Sequence, residues 1–475
     1  MSEPASFYAS PAEATRAPAE EFLYVACLHQ GTGVERPDFL AVVDAESGRI
    51  VHELPMPNVG DELHHYGWNR CSSACHGPDR SHLIVPGFRS SRIHVVNVAD
   101  DPRRPRIETV IEPEELVRAT GLTRPHTVHC MPGENIVISM LGDADGNGAC
   151  GFAVLDARTF EIKGRWENGG PRPPLNYDFW YQPRQNVLAS SEFGEPNAYE
   201  HGFDIEDVAS GRYGSRLHFW NLSERRMEQT LELGDTGLVP LETRWLHDPD
   251  ADQGFVGAAL SSTMWRFHRE NGSYTADKVI AVENQELEGW PLPGGVPGLI
   301  TDLVVSMDDR FLYFSNWLHG DLRQYDISDP ANPRLTGRLW LGGLLGERER
   351  CRPRARRRSA DAPALARRAA PLRHQLAALH VGQPVLSRAA LVAGAGELLA
   401  RGRDGGRPRL LRRLPAGART RGAPAGRRLH HGDLPVILAH IGGLPVEESV
   451  LGIAPTACVL AAFLRARVVG WLRRR

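Results

Sequence analysis

The sequence predicts an all-β fold of the β-propeller type. Its main support is a repeated unit: an apolar β-rich run, a carboxylate or amide, a polar turn and a second β-rich run. Asp-Pro, Asn-Gly and Ser-Gly turns separate the short alternating segments. The units recur roughly every 45 to 65 residues, near the period of propeller blades, each of which is a four-stranded sheet. Two β-sandwiches in tandem are the alternative, but the repeat continues without a linker.

Six apolar runs mark the repeats along the chain. Two of them are followed by a clear return strand, at Glu161–Trp166 and at Arg334–Trp340. We therefore expect the propeller to occupy residues 22–345. The six runs are Phe39–Asp44, Ile93–Asn97, Phe152–Asp156, Leu217–Asn221, Met264–Phe267 and Leu322–Asp326.

Composition limits the location and the partners of the chain. Residues 1–21 are rich in Ser, Pro, Ala and Glu and contain no apolar core of a signal peptide, which predicts a disordered arm and a cytoplasmic protein. A net charge of −3 predicts no general affinity for nucleic acid or for an anionic membrane. The seven cysteines are an odd number without tight spacing, which favours reduced thiols over a disulfide framework.

The stretch from Asp61 to His76 carries the chemistry. It holds three histidines, two carboxylates and two cysteines in sixteen residues, a set that is costly to bury unless its members bind or pair with something. Three later segments add further histidines, so we expect the fold to bring these segments together around a soft or borderline metal. The candidate metal ligands are His64, His65, His126, His129, His247 and His319.

Each candidate histidine has a plainer interpretation. Adjacent histidines on a strand point to opposite faces, so His64 and His65 reach one ion only from a bent loop, and otherwise form a solvated pair. His126 and His129 are three residues apart and could share one side of a turn, or one could bond the backbone. His247 and His319 each follow a Trp-Leu pair and lie near an aspartate that could orient the ring, so each is a ligand or a supporting residue.

Cys71 and Cys75 are separated by three residues and followed by a histidine. A zinc site is one interpretation, but no second pair occurs at finger or ribbon spacing. A thiol that handles selenium or sulfur is the functional interpretation, and two ordinary reduced cysteines are the alternative.

The composition changes abruptly near residue 346. From there to the end the chain has no Lys and no Tyr, and Arg, Ala, Leu and Gly dominate. A disordered basic tail or a nucleic-acid-binding arm would have such a composition. The apolar stretch at 449–464 contains Pro455 and is short for a membrane span, so no membrane partner is predicted.

Several long strings resemble the selenium-binding protein / methanethiol oxidase family. They include Asp61-Glu-Leu-His-His65, Tyr177-Asp-Phe-Trp-Tyr-Gln-Pro-Arg184, Pro297-Gly-Leu-Ile-Thr-Asp302 and Asp308-Asp-Arg-Phe-Leu-Tyr-Phe-Ser-Asn-Trp-Leu-His-Gly-Asp321. The match covers roughly 22–345. Family members commonly have Cys-Ser-Ser-Cys where this chain has an additional alanine, Ala74, before Cys75.

The resemblance implies a seven-bladed propeller and, in the oxidase members, a copper-dependent reaction. Methanethiol, O2 and water give formaldehyde, hydrogen sulfide and hydrogen peroxide, so the expected partners are a small thiol and O2. Copper is the expected cofactor, with selenium as a further ligand through Cys71 or Cys75. The alternative is a non-enzymatic selenium carrier, and a third possibility is an inactive member of the family.

The resemblance ends after Leu345, where family members continue with further blades. A frame shift accounts for the change. Read one base later, residues 363–368 can encode Gln-Leu-Ser-Leu-Asp-Gly, and 426–431 can encode Gly-Gly-Asp-Cys-Thr, which are family-like strings. We therefore expect 346–475 to be an aberrant Arg/Ala-rich tail translated out of frame, with the closing part of the propeller incomplete.

Overall fold

The computed structural model describes residues 21–29, 34–70, 80–288, 290, 294–340 and 343–345. Within these ranges 23 strands form six sheets, five with four strands and one with three. This confirms the all-β prediction and shows a propeller arrangement with six blades. The seventh blade stays a prediction, and the predictions made for residues 1–20 and 346–475 lie outside the described residues.

The strands and helices are short and alternate with turns. The strands are β1 (Phe22–Cys27), β2 (Phe39–Asp44), β3 (Ile50–Pro55), β4 (Gly67–Trp68), β5 (His82–Pro86), β6 (Ile93–Asn97), β7 (Arg106–Ile111), β8 (Leu122–Met131), β9 (Asn135–Asp143), β10 (Gly151–Asp156), β11 (Ile162–Arg165), β12 (Phe179–Gln182), β13 (Val187–Ser191), β14 (Arg216–Asn221), β15 (Arg226–Glu232), β16 (Pro240–Trp245), β17 (Gln253–Ala258), β18 (Thr263–Glu270), β19 (Ser273–Ala281), β20 (Ile300–Val305), β21 (Phe311–Asn316), β22 (Asp321–Asp326) and β23 (Arg334–Trp340). The helices are α1 (Pro113–Thr120), α2 (Pro196–Tyr199) and α3 (Ile205–Ala209), with 3-10 turns at Pro183–Gln185 and Gly234–Thr236. None of the described helices has the length and apolar character needed to cross a bilayer.

Each four-stranded sheet follows chain order and is antiparallel throughout. The sheets are β4–β7, β8–β11, β12–β15, β16–β19 and β20–β23, and the three-stranded sheet is β1–β3. First strands of neighbouring sheets contact one another, β4 with β8, β12 with β16 and β16 with β20. These strands therefore line the inside of the ring, which makes them the elements that can bring distant residues to one place.

The sequence repeat corresponds to the same strand of every sheet, the last but one in chain order. The six apolar runs form β2, β6, β10, β14, β18 and β22, and each has a register shift where it pairs with the strand that follows. In the turns, Asp44 Oδ1 accepts the Ser47 N–H at 2.7 Å, and Asp156 Oδ1 accepts the Arg158 N–H at 2.8 Å. Asp and Asn favour such turns because the side chain replaces a backbone acceptor. The carboxylate or amide of the repeat thus reverses the chain into the outer strand.

The hydrophobic core is divided into layers between neighbouring sheets. The sheets are counted here in chain order, with β1–β3 as the first and β20–β23 as the sixth. One buried cluster lies between each consecutive pair, from the first and second sheets to the fifth and sixth. Phe152, Phe179 and Trp220 illustrate the layer between the third and fourth sheets, where all three are fully buried. Burying a large side chain of this kind contributes about 1.5–3 kcal/mol, so each sheet is stabilised mainly by its neighbours.

Candidate metal centre

The first two histidines lie on a short segment that leads into β4. Leu63 forms an isolated antiparallel bridge with Gly87, and the His64 N–H donates to the Pro86 carbonyl at 3.1 Å. Glu62, just before, has a left-handed backbone with φ of 55°. Such a conformation is uncommon for a residue other than glycine, and it bends the segment as ligation by both rings requires.

Buried polar contacts hold this bent segment in place. The Leu63 N–H donates to Asp38 Oδ2 at 3.0 Å, and Arg89 Nε donates to Glu62 Oε2 at 2.8 Å. Asp61 accepts from Arg92 Nη1 at 3.0 Å. Burial alone raises the pKa of Asp61, but hydrogen bonds from His94, Ser90 and Arg92 outweigh it, and the pKa lies below its usual value. Charged partners on both sides therefore fix the segment before it reaches the histidines.

Three of the six predicted histidines converge. One nitrogen from each of His64, His65 and His126 lies within 4.8 Å of the other two. The ring centroids are 5.1 Å apart for His64 and His65, 4.8 Å for His64 and His126, and 4.1 Å for His65 and His126. His126 is fully buried and His64 is 9% exposed. Among the described residues, these three histidines form the one group of at least three side chains close enough to hold a metal ion together.

His126 reaches the group from β8. The pairing of β8 with β9 shifts register between Pro125 and Val128, so the strand is irregular where His126 leaves it. Its Nδ1 lies 3.0 Å from Thr127 Oγ1, and its buried Nε2 has no hydrogen-bond partner. Burial, followed by the neighbouring His65 and His64, places the pKa of His126 well below its usual value. The ring is therefore neutral and offers a lone pair.

The donor set fits a borderline divalent cation. Neutral imidazole nitrogens suit Cu(II) and Zn(II), and an unsatisfied buried nitrogen such as Nε2 of His126 costs free energy until it meets a partner. Close approach of the three rings supplies several nitrogens to one point. Phe88 and Tyr177 cover the group, with ring centroids 5.1 Å from His64 and 3.9 Å from His126, respectively. This aromatic cover limits the access of water.

A buried network of charges lies beside the group. Asp178, which precedes β12, accepts from Thr127 Oγ1 at 2.7 Å, from the Thr243 N–H at 2.8 Å and from Arg244 Nη1 at 2.7 Å. Arg244 also donates to Glu242, and both lie on β16. Burial lowers the pKa of Arg244, but its carboxylate partners outweigh this effect and hold the guanidinium charged.

Glu242 joins the network to the histidines. Its Oε1 lies 3.2 Å from Nε2 of His65, and the carboxyl group is 1% exposed. Burial, together with the nearby Asp178, raises the pKa of Glu242 well above its usual value. A carboxyl group with a raised pKa, next to a candidate ligand, is placed to hold or accept a proton.

His129 lies outside the group of three. It projects from β8 towards β12, where its ring centroid lies 5.1 Å from that of Phe179 and 4.7 Å from that of Trp180. The two histidines share a strand with an irregular register, and their rings face different surroundings. Ligation by His129 stays a prediction without support from this placement.

His247 and His319 also lie outside the group. Nε2 of His247 is 3.2 Å from the Val305 carbonyl, and Nε2 of His319 is 2.9 Å from the Val296 carbonyl. Asp321 Oδ1 is 3.9 Å from Nδ1 of His319, beyond hydrogen-bond range. In each case a backbone carbonyl, rather than the expected aspartate, contacts one ring nitrogen.

Cys71 and Cys75, the predicted selenium ligands, lie outside the described residues.

The charged network was not predicted from the sequence. Glu242 and Arg244 alternate with uncharged residues on one strand and so share a face, which is a signal for paired buried charges. Asp178 lies in the aromatic-rich string from Tyr177 to Arg184, to which no role in the site was assigned, and it contacts Thr127 and Arg244. No comparable signal exists for Thr127, whose role depends on a neighbour from another sheet.

Fold and site together define a β-propeller protein with a buried three-histidine centre. The family model described as "56kDa selenium binding protein (SBP56)" matches residues 1–405. The chain therefore belongs to this family, which confirms the resemblance noted in the sequence.

Named relatives are similar over most of their length. The chain is 53% identical over 347 residues to a methanethiol oxidase of Xenopus laevis and to that of Homo sapiens, covering 71% of this chain and 73% of either relative. An X-ray structure of a hypothetical selenium-binding protein from Sulfolobus tokodaii is 45% identical, with a TM-score of 0.68, covering 72% of this chain and 79% of that one. The family thus includes proteins named as enzymes.

Proposed function

We propose that this chain is a copper-dependent methanethiol oxidase. The reaction converts methanethiol, O2 and water to formaldehyde, hydrogen sulfide and hydrogen peroxide. The observation that carries the proposal is the convergence of His64, His65 and His126, with a bare buried Nε2 on His126, in a relative of methanethiol oxidases.

The residues of the chain have separate tasks in this proposal. His64, His65 and His126 would hold the copper, which supplies electron transfer between the thiol and O2. Phe88 and Tyr177 keep the surroundings apolar and suit a thiol that carries only a methyl group. Oε1 of Glu242 would take up the proton that the thiol releases on binding, because a raised pKa brings a carboxyl group closer to neutral pH.

A copper assay with matched variants tests the proposal. The purified chain should bind one equivalent of Cu(II) and produce peroxide and formaldehyde from methanethiol. The His64→Ala/His65→Ala variant should lose both properties, whereas His247→Ala should keep both, because its ring lies outside the group of three. Copper retained by the double variant, or absent from the unaltered protein, would refute the proposal.

A selenium carrier is the second candidate, favoured by the family description and by the name of the Sulfolobus tokodaii relative. In this case Cys71 or Cys75 would bind selenium, and no peroxide would form. Selenium content after incubation with selenite separates the two functions. A Cys71→Ser variant that loses selenium, in a protein that contains no copper, favours the carrier.

The remaining predictions concern the end of the chain. The resemblance implies a seventh blade, and we infer that residues 346–475 are translated out of frame. The nucleotide sequence across codons 340–350 and downstream tests this inference. A shifted frame that stays open to the region of Gly426 supports it, and a stop codon before that point contradicts it. If the inference holds, a chain with the repaired frame should exceed the present one in activity.

A further inference from the structure

Thr127 lies between a candidate metal ligand and a buried carboxylate. Its hydroxyl oxygen is 3.0 Å from Nδ1 of His126 and 2.7 Å from Oδ1 of Asp178. All three residues are buried, at 0–2% exposure. A hydroxyl group has one proton to donate, so the proton cannot serve both neighbours. The direction of this short chain of hydrogen bonds decides which nitrogen of His126 carries hydrogen.

Asp178 sets the direction. An ionised carboxylate only accepts hydrogen bonds, and the Arg244 guanidinium at 2.7 Å favours the ionised form. Oδ2 of Asp178 is occupied by donors from Arg244 and Thr243, which leaves Oδ1 for Thr127. The Thr127 proton therefore points to Asp178, and its lone pairs point to His126.

This hydrogen-bond direction determines the state of Nε2, the other nitrogen of the His126 ring. Nδ1 of His126 must carry the hydrogen that Thr127 accepts, and a neutral imidazole carries only one. Nε2 is then bare, and it is the buried nitrogen without a hydrogen-bond partner. We infer that Thr127 and Asp178 are positioning residues, which fix the tautomer of His126 so that Nε2 is permanently available to the metal. The inference rests on the proposed metal site, because a bare Nε2 matters only if an ion binds there.

Exchanging Asp178 for asparagine should reverse the relay. The donors of Arg244 and Thr243 would retain the carbonyl oxygen of the new side chain, so its NH2 group would face Thr127. Thr127 would then accept from the amide and donate its own proton to Nδ1 of His126. The hydrogen of the ring would move to Nε2, where it blocks the metal.

Affinity for Cu(II) and for redox-inert Zn(II), measured by chelator competition, gives the first test. Asp178→Asn should weaken both by about 100-fold and Thr127→Val by about 10-fold, the range found for partners of metal-bound histidines. Thr127→Ser keeps the hydroxyl and should stay within about 3-fold of the unaltered protein. Equal affinity of the Thr127→Val and unaltered proteins would overturn the inference.

The double variant separates the relay from a loss of charge. Without the Thr127 hydroxyl, the reversed amide cannot act on His126, so Asp178→Asn/Thr127→Val should bind metal as Thr127→Val does, better than Asp178→Asn alone. If Asp178 acted through its charge or by supporting the fold, the two losses would add. An additive result therefore contradicts the relay.

Histidine 15N spectra of the metal-free protein test the tautomer without any ion. His126 should show hydrogen on Nδ1 in the unaltered protein and on Nε2 in Asp178→Asn. This measurement remains valid if the chain binds no copper, so failure of the proposed function and failure of the relay can be told apart. Hydrogen on Nε2 in the unaltered protein would end the inference.

Discussion

Two sets of candidate histidines in this molecule differ in their surroundings within the fold. His64, His65 and His126 face one another, and Nε2 of His126 has no hydrogen-bond partner. His247 and His319 instead place Nε2 against a backbone carbonyl, at 3.2 and 2.9 Å. A carbonyl bond at one ring nitrogen leaves the other nitrogen able to bind a metal, and Nδ1 of His319 is also buried without a hydrogen-bond partner. Convergence separates the two sets: His64, His65 and His126 bring three nitrogens within 4.8 Å of one another, and within the described residues neither His247 nor His319 belongs to such a group.

The largest effect is expected from His126→Ala. Removing the fully buried member of the group should lower the affinity for Cu(II) by more than about 100-fold, beyond the loss caused by outlying partners. His319→Ala should leave copper affinity within about 3-fold of the unaltered protein. Titration calorimetry on both variants provides the comparison, and equal losses in the two would erase the distinction between the sets.

Gly67→Ala should weaken the metal site from a distance. A Cβ at Gly67 would lie 2.4 Å from the Val128 carbonyl oxygen, so β4 and β8, which carry or adjoin the histidines, must move apart. Overpacking of this kind costs about 1–3 kcal/mol of stability, and we expect about 10-fold weaker copper binding.

Gly148→Ala is the control for the Gly67 variant. Its Cβ would lie 2.2 Å from the Pro174 carbonyl oxygen, a clash of the same kind with a different segment. Denaturant unfolding should show a comparable loss of stability, while copper affinity is retained. Parallel loss of copper in both variants would show that affinity only follows stability.

His319→Leu should affect stability and not the metal. It removes one of the two donors to the Val296 carbonyl and leaves the Gln285 N–H, so the loss should be that of a single hydrogen bond, about 0.5–1.5 kcal/mol. His319→Gln can offer an N–H again and should recover part of the loss. Unfolding in urea measures both variants, and a leucine variant as stable as the unaltered protein would mean that the carbonyl bond contributes little.

The smallest effect is a pH dependence carried by His319. Burial lowers the pKa of His319, so the unfolded chain takes up a proton near pH 6.5 that the folded chain refuses. Stability is therefore complete above that pH and declines as the pH falls. Between pH 7 and 6 the decline is below about 1 kcal/mol for one histidine. Unfolding curves at several pH values should show a flatter profile for His319→Leu, and an unchanged slope would exclude this contribution.

The fold was predictable because its signal is local. Each apolar run and its Asx turn lie within about a dozen residues. The bonds of Asp44 to Ser47 and of Asp156 to Arg158 show that the side chains in the pattern make the turns themselves. The number of blades is not local, and here the described residues show six sheets where the family resemblance implies seven.

The site was predictable only in part, because its partners are distant in the chain. The bend that lets His64 and His65 face one point depends on the left-handed backbone of Glu62. A glutamate in the sequence does not predict that conformation. His247 and His319 could not be set aside, since their partners are main-chain carbonyls, present at every residue. In the sequence, a charged residue such as Glu242 predicts an exposed position. In the structure, the ring of inner strands buries it.

The ion pair between Arg244 and Asp178 joins two halves of the molecule that a single cut could separate. The turn at 222–225, between β14 and β15, lies outside the ring of inner strands, with the three histidines and Asp178 on one side of it in the chain and Glu242 and Arg244 on the other. A cut there would separate the three histidines and Asp178 from Glu242 and Arg244, and each fragment would keep one partner of the ion pair. Reassociation would return Glu242 to its position beside His65, so recovery of the metal affinity of the intact chain would report complementation between the fragments.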